Sequence, residues 1–194
     1  NGILLEMSKH SSLTECLKAG MLCNDSRLVE NGKQWAIEGD PTEAALISAA
    51  VKGGMSPEIL EQEFPRVDAL AFESQHQYMA TLHHQGVTSI IYVKGSAESV
   101  LSRCQYVYSD KGEFEPIDHE RVQQQLHEMA ARGLRVLAFA KKVLAEPSQS
   151  VSHDDVSDGL VFLGLQAMMD PPRKEAIKAV KVCQLAGIKV KMIT

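Results

Sequence analysis

Two strand-like runs, Tyr78 to His84 and Val87 to Lys94, are separated only by Gln85-Gly86. A connection that short leaves no room for a crossover, so the two runs must pair antiparallel. This hairpin commits the chain to a sheet. Val67 to Phe72, Gln105 to Tyr108, Leu134 to Val143 and Leu160 to Met168 read as further strands, rich in β-branched and aromatic residues.

Helical segments flank these strands. Leu13 to Leu22 reads as one. Asp40-Pro41-Thr42-Glu43 is a helix start, with Asp40 as the cap and Pro41 in the first turn, where its missing N–H is harmless. That helix runs to about Lys52 and stops at Gly53-Gly54. Its Glu43, Leu46, Ile47 and Ala50 share one face, so a carboxylate opens an apolar stripe. Such a group is either a first-turn residue favoured by the helix dipole or a ligand contact. Ala97 to Arg103 and the amphipathic stretch Asp118 to Arg132 are further helices. Glu146 to Asp158, rich in Ser and Asp, reads as a mobile loop. The mixture predicts an α+β fold, a twisted antiparallel sheet flanked by helices.

The character of the chain changes at Asp170-Pro171-Pro172-Arg173, where two prolines stiffen the backbone. A helix from Lys174 to about Ala186 and a strand from Ile188 to Thr194 follow. One helix and one strand cannot enclose a core, so they read as the stub of a second, truncated α/β domain.

The bulk properties narrow the function. The net charge is −5 over 194 residues, with acids and bases interspersed, which argues against a nucleic-acid or anionic-membrane surface. No apolar run approaches the roughly 20 residues needed to span a bilayer. Asn1 to Glu6 lacks the basic start and apolar core of a signal peptide. Cys16, Cys23, Cys104 and Cys183 are scattered, which fits reduced, buried thiols. His83 and His84 are adjacent, so on a strand they face opposite ways, as ordinary strand histidines do.

Lys94-Gly95-Ser96-Ala97-Glu98 stands at the turn from a strand into a helix. It puts an ammonium where the backbone turns, beside a glycine that lets a ligand come close. It resembles the Lys-Gly-Ala-Pro-Glu signature of the nucleotide-binding domain of P-type cation-pumping ATPases. Six further segments resemble the same family, in the same order. They are Leu22 to Asp25, Gly39 to Leu46, Phe72 to Met79, Gly133 to Ala138, Asp170 to Arg173, and Gly187 to Thr194. The match is strongest with the calcium-pump branch of P2-type pumps.

The resemblance implies residues 1–169 as a nucleotide-binding domain. Residues 170–194 would be the hinge and truncated start of the returning phosphorylation domain. It implies that ATP binds here, accompanied by magnesium in the full-length pump, for transfer to an aspartate elsewhere. Phe72 offers a ring on which adenine stacks, or is a core phenylalanine. Lys94 extends toward adenine or the phosphates, or is solvated. Thr42 offers a hydroxyl, and Glu43 accepts from the adenine amino group. Gly95 allows close approach. Arg135, in an otherwise apolar run, needs an anion: a phosphate, a ribose oxygen or a carboxylate. Asp170 and Arg173 would close the hinge onto the nucleotide.

Gln77 stands where the family usually has Lys, and His76 where it has Arg. Positive charge is thereby lost beside the phosphates. The phosphorylated Asp-Lys-Thr-Gly-Thr of the family is missing, since the one Asp-Lys here, Asp110-Lys111, is followed by Gly112. There is no Walker A loop either. The chain is therefore expected to bind ATP without hydrolysing it. Its implied partners are ATP and the phosphorylation and actuator domains of a parent pump, with no direct membrane contact, as a cytoplasmic domain of an integral membrane protein. The alternatives are an interaction module that has lost nucleotide binding and a phosphatase-like domain, which the missing nucleophile motif disfavours.

Overall fold

The computed structural model describes residues 10–31, 34–169 and 173–191. Helix α1 (Ser11–Leu22) leads into a hairpin of β1 (Arg27–Asn31) and β2 (Gln34–Glu38), then α2 (Pro41–Lys52) and α3 (Pro57–Glu63). Next come β3 (Arg66–Glu73), β4 (Tyr78–Gln85), β5 (Thr88–Gly95), α4 (Ala97–Leu101), β6 (Cys104–Tyr108) and β7 (Phe114–Pro116). The chain continues through α5 (His119–Ala131), β8 (Arg135–Val143), β9 (Leu160–Met168) and α6 (Lys174–Leu185). Seven strands form one open sheet in the order β3-β4-β5-β8-β9-β6-β7. The fold is α+β, as the sequence predicts. One pair departs from the antiparallel expectation: β6 runs parallel to β9.

The β4–β5 hairpin turn is shifted by one residue from where the sequence suggests. Gln85 pairs with Thr88, so the turn residues are Gly86 and Val87 rather than Gln85 and Gly86. Gly86 has φ +60°, the left-handed conformation that short hairpin turns need. The register then puts Met79, not Gln77, opposite Lys94.

Alternation along the strands gives each sheet face its own core. Met79, Ile90, Tyr92, Phe139 and Leu163 face α1, α2 and α3, through Leu17, Leu22, Leu46, Ile47, Leu60 and Phe64. Ala80, Leu82, Ile91, Val93, Ala140 and Phe162 face the other way, toward α4 and α5, through Val100, Leu101 and Val122. Truncating a side chain as buried as Phe139 costs about 3–5 kcal/mol. An ionic clasp ties α1 to the sheet: Glu15 accepts from Lys141 of β8 at 2.6 Å and from Lys18.

The loop between β8 and β9, expected to be mobile, is packed onto the sheet. Val151 and Val156 are buried. The Val151 amide donates to Asp68, the Ser148 amide to the Ser89 hydroxyl, and Lys142 to the carbonyls of Asp155 and Asp158. Two apolar residues and the β8 lysine anchor a segment whose composition reads as solvent-exposed.

Toward the C terminus, Asp170-Pro171-Pro172 lies outside the described residues. Helix α6 leaves Ile177, Val182 and Leu185 exposed. The strand expected over Ile188 to Thr194 does not form in residues 188–191, and 192–194 lie outside the described residues. A strand needs a neighbour for its amides, and none is beside this segment among the described residues. Cys16, Cys23 and Cys104 are buried and free, and burial pushes the thiols of Cys16 and Cys104 up to about 12.

Candidate functional site

The site begins with a fault in the β3–β4 ladder. Leu70 pairs with Ala80, but Glu73 pairs with Tyr78, so β3 carries one residue more than β4 across this interval. This is a β-bulge, and an extra residue reverses the facing of everything beyond it. Regular alternation would put Phe72 on the side of Leu70, which packs into the α4–α5 core. The bulge turns it to the opposite side, where it lines a cleft with Met79 and Lys94. The residue is 61% exposed. The alternative of a core phenylalanine is therefore excluded.

Lys94 alternates with Ile90 and Tyr92 along β5 and so points toward α2. It is not solvated. Its Nζ lies 2.6 Å from Glu43 Oε1, and the two side chains are 8% and 19% exposed. Glu43 is where the capped start of α2 puts it. Asp40 Oδ1 accepts from the amides of Thr42 and Glu43 at 2.8 and 3.2 Å. The other Glu43 oxygen, Oε2, accepts from the amides of Asp25 and Ser26 at 3.0 and 3.1 Å. Glu43 thus serves the protein first: it holds the α1–β1 connection and the ammonium together. The ammonium keeps further N–H groups for a ligand.

Two glycines are fixed by the chain itself. A Cβ at Gly95 would overlap the Gln77 carbonyl oxygen and come within 2.7 Å of Tyr78 Cβ. The close approach expected of Gly95 is thus to β4, and the Ser96 amide uses it to donate to that carbonyl at 2.9 Å. Gly39 has φ +116°, and a Cβ there would overlap Ser26. Both glycines line the cleft wall.

Gln77 closes the β3–β4 turn with φ +58°, alone among the described non-glycine residues in positive φ. Its amide donates to the Glu73 carbonyl at 2.8 Å, and its Oε1 accepts from the Ser96 hydroxyl at 3.2 Å. Left-handed backbone at such a residue costs about 1–2 kcal/mol. Residues held this way cluster at binding sites.

The cleft encloses about 660 Å³, within the range of small-molecule sites. Thr42, Glu43, Phe72, Gln77, Lys94, Gly95 and Arg135 all line it. Arg173, the residue before α6, does not, and Asp170 lies outside the described residues. Arg135 is exposed at the start of β8, with no carboxylate within ion-pair distance among the described residues. Its field reaches Asp40, whose carboxyl burial alone would raise; the amides of Glu43 and Thr42 and the Thr42 side chain outweigh burial and hold it below the ordinary range. Met79, Ser26, Val136 and Leu137 complete the walls. Sequence reasoning passed over these. The register finds Met79: with Gly86 and Val87 as the turn it stands opposite Lys94.

The arrangement joins an exposed aromatic face, apolar walls, a pre-aimed ammonium and an uncommitted guanidinium. That combination suits a flat heteroaromatic ring carrying an anionic tail.

Residues 12–175 match the family model described as "P-type ATPase, cytoplasmic domain N". A cation-transporting ATPase, pma1, of Synechocystis sp. is 53% identical over 182 residues, covering 94% of this chain and 20% of that protein. A probable cation-transporting ATPase F of Mycobacterium tuberculosis is 40% identical over 188 residues, covering 97% and 21%. A calcium-transporting ATPase of Bacillus subtilis is 32% identical over 194 residues, covering 98% and 22%. The chain spans about a fifth of the length of these curated relatives.

Proposed function

Since the chain belongs to the P-type ATPase cytoplasmic N-domain family, we propose that its cleft binds ATP and positions it for transfer to an aspartate outside this chain. The observation that carries this reading is the bulge-turned Phe72 ring opposite the Lys94–Glu43 pair in one cleft. Adenine stacks on Phe72, at about 1–3 kcal/mol for such an aromatic contact. Met79, Val136 and Leu137 supply the apolar wall. Lys94, held in place by Glu43, loses little freedom when a ligand atom meets it. Arg135 meets the phosphates from the same cleft.

This chain contributes binding and orientation and no nucleophile, and phosphoryl transfer depends largely on positioning. Magnesium would come with the triphosphate. The cleft does not fit a resident ion: Asp40 caps α2, Glu43 holds Lys94, and Asp25 pairs with Arg66 at 2.7 Å. In the parent protein the domain would stand on the cytoplasmic side of a cation pump, swinging against phosphorylation and actuator domains. Residues 170–194 would belong to the hinge and the returning phosphorylation domain.

Isothermal titration with ATP and AMP tests the reading. Wild type binds both, with a substantial share of the affinity retained by AMP, and Phe72→Ala loses most of it. Unchanged binding by Phe72→Ala moves the adenine site elsewhere. No binding of either nucleotide by folded wild type favours the reading as an interaction module, for which Gln77 is the motive.

A further inference from the structure

The turn that carries Phe72 and Gln77 has a second face. Past the bulge, Glu73 pairs with Tyr78 and lies on the side opposite the cleft. There it meets His76 of the same turn and His153 of the β8–β9 loop. One donor atom from each of Glu73, His76 and His153 lies within 4.8 Å of the others. We propose that these three residues form a site for a late first-row divalent metal, with zinc as the natural occupant, clasping the β8–β9 loop to the β3–β4 turn.

Three observations point the same way. Glu73 Oε2 and His76 Nε2 are 3.7 Å apart. Two ligands of one tetrahedral zinc, each about 2.0–2.2 Å from it, are separated by roughly 3.4 Å, so rotamer adjustments suffice. The Gln75 side-chain nitrogen sits against both, 2.8 Å from Glu73 Oε2 and 3.1 Å from His76 Nε2. An amide NH₂ only donates, so the carboxylate and the ring nitrogen both present lone pairs to one point. A metal takes that point and displaces Gln75.

The third contact is 2.6 Å, between His153 Nδ1 and the hydroxyl of the buried Tyr78. With Nδ1 engaged, Nε2 is the nitrogen left for a metal. A hydrogen bond to the far nitrogen is how metal-binding imidazoles are commonly oriented. The two imidazoles are neighbours, with centroids 4.2 Å apart and ring planes tilted by 32°. Two imidazoles and a carboxylate suit zinc better than magnesium or calcium, which favour oxygen. Water would complete the shell.

Equilibrium dialysis against buffered micromolar Zn²⁺ tests the site. All proteins compared, the wild-type site included, carry Cys183→Ser, so this half-buried thiol cannot contribute a competing ligand. The wild-type site holds a single equivalent. His153→Ala and Glu73→Gln each weaken binding at least about tenfold, and Tyr78→Phe about tenfold through the far nitrogen of His153. Zinc also slows hydrogen exchange across Ser148 to Ser157 in wild type and not in His153→Ala. Zinc held equally by His153→Ala and the parent, or no zinc retained by the folded parent, overturns the proposal.

Discussion

Lys94 Nζ and Glu43 Oε1 stand 2.6 Å apart in the cleft, joining the end of β5 to the first turn of α2. The pair is unequal. Glu43 also receives the amides of Asp25 and Ser26, whereas Lys94 has no second carboxylate within ion-pair distance among the described residues.

Removing either partner therefore has different consequences. Glu43→Ala strands a buried ammonium and two amides, and costs about 3–5 kcal/mol. Lys94→Met leaves Glu43 its amide donors and fills the space with an apolar chain, and costs less than half as much. Urea denaturation of both variants checks this; equal losses would mean that Glu43 does not organise the junction.

Gly95→Ala forces a methyl into the Gln77 carbonyl and Tyr78. Overpacking of this kind costs about 1–3 kcal/mol. Phe72→Ala, at an exposed ring, changes stability by less than about 0.5 kcal/mol. The two variants should separate in thermal melts, with Phe72→Ala near wild type. A nearly neutral Gly95→Ala would mean that β4 and β5 do not approach this closely.

Gln77→Lys places an ammonium at an exposed position on the cleft rim. Such a charge contributes up to about 1 kcal/mol, or roughly fivefold. ATP should tighten more than AMP, and the gain should shrink as salt rises. Equal tightening of both nucleotides would contradict a phosphate-side position for residue 77.

Glu15 makes stability acid-sensitive. Burial pushes its carboxyl up, but Lys141 and Lys18 outweigh burial and hold it below the ordinary 4.5. A carboxyl depressed on folding stabilises the native state above its unfolded pKa, and loses that share as pH falls through the folded value. Wild type should thus lose stability below about pH 4.5. Glu15→Gln should be less stable by about 3 kcal/mol at neutral pH. The gap should narrow on acidification. A gap that stays constant with pH would exclude this linkage.

The sequence discloses much of this architecture, for physical reasons. Six of the strands and the α2 cap carry strong local signals, and Lys94 points where strand alternation sends it. The sequence reading omits the β1–β2 hairpin, although Asn31-Gly32 is a turn signal, and α3, although Ser56-Pro57 is a helix start whose cap the structure contains. The bulge beside Phe72 has no local signature. Period-two reading turns that ring into the core, and only the pairing of Glu73 with Tyr78 reverses it. The packed β8–β9 loop is hidden likewise, because Val151 and Val156 are two apolar residues among polar ones.

No turnover should accompany binding. Purified chain incubated with ATP and magnesium should release phosphate at the background rate, because the family's nucleophile motif is absent. Release above background that Lys94→Ala abolishes would contradict this.

The most direct test of the cleft as a nucleotide site is an ATP titration followed by amide NMR shifts. The account predicts saturable shifts concentrated at Phe72, Gln77, Lys94, Gly95 and Arg135, and their loss in folded Phe72→Ala. Saturable shifts centred away from these residues, or undiminished in Phe72→Ala, would contradict it.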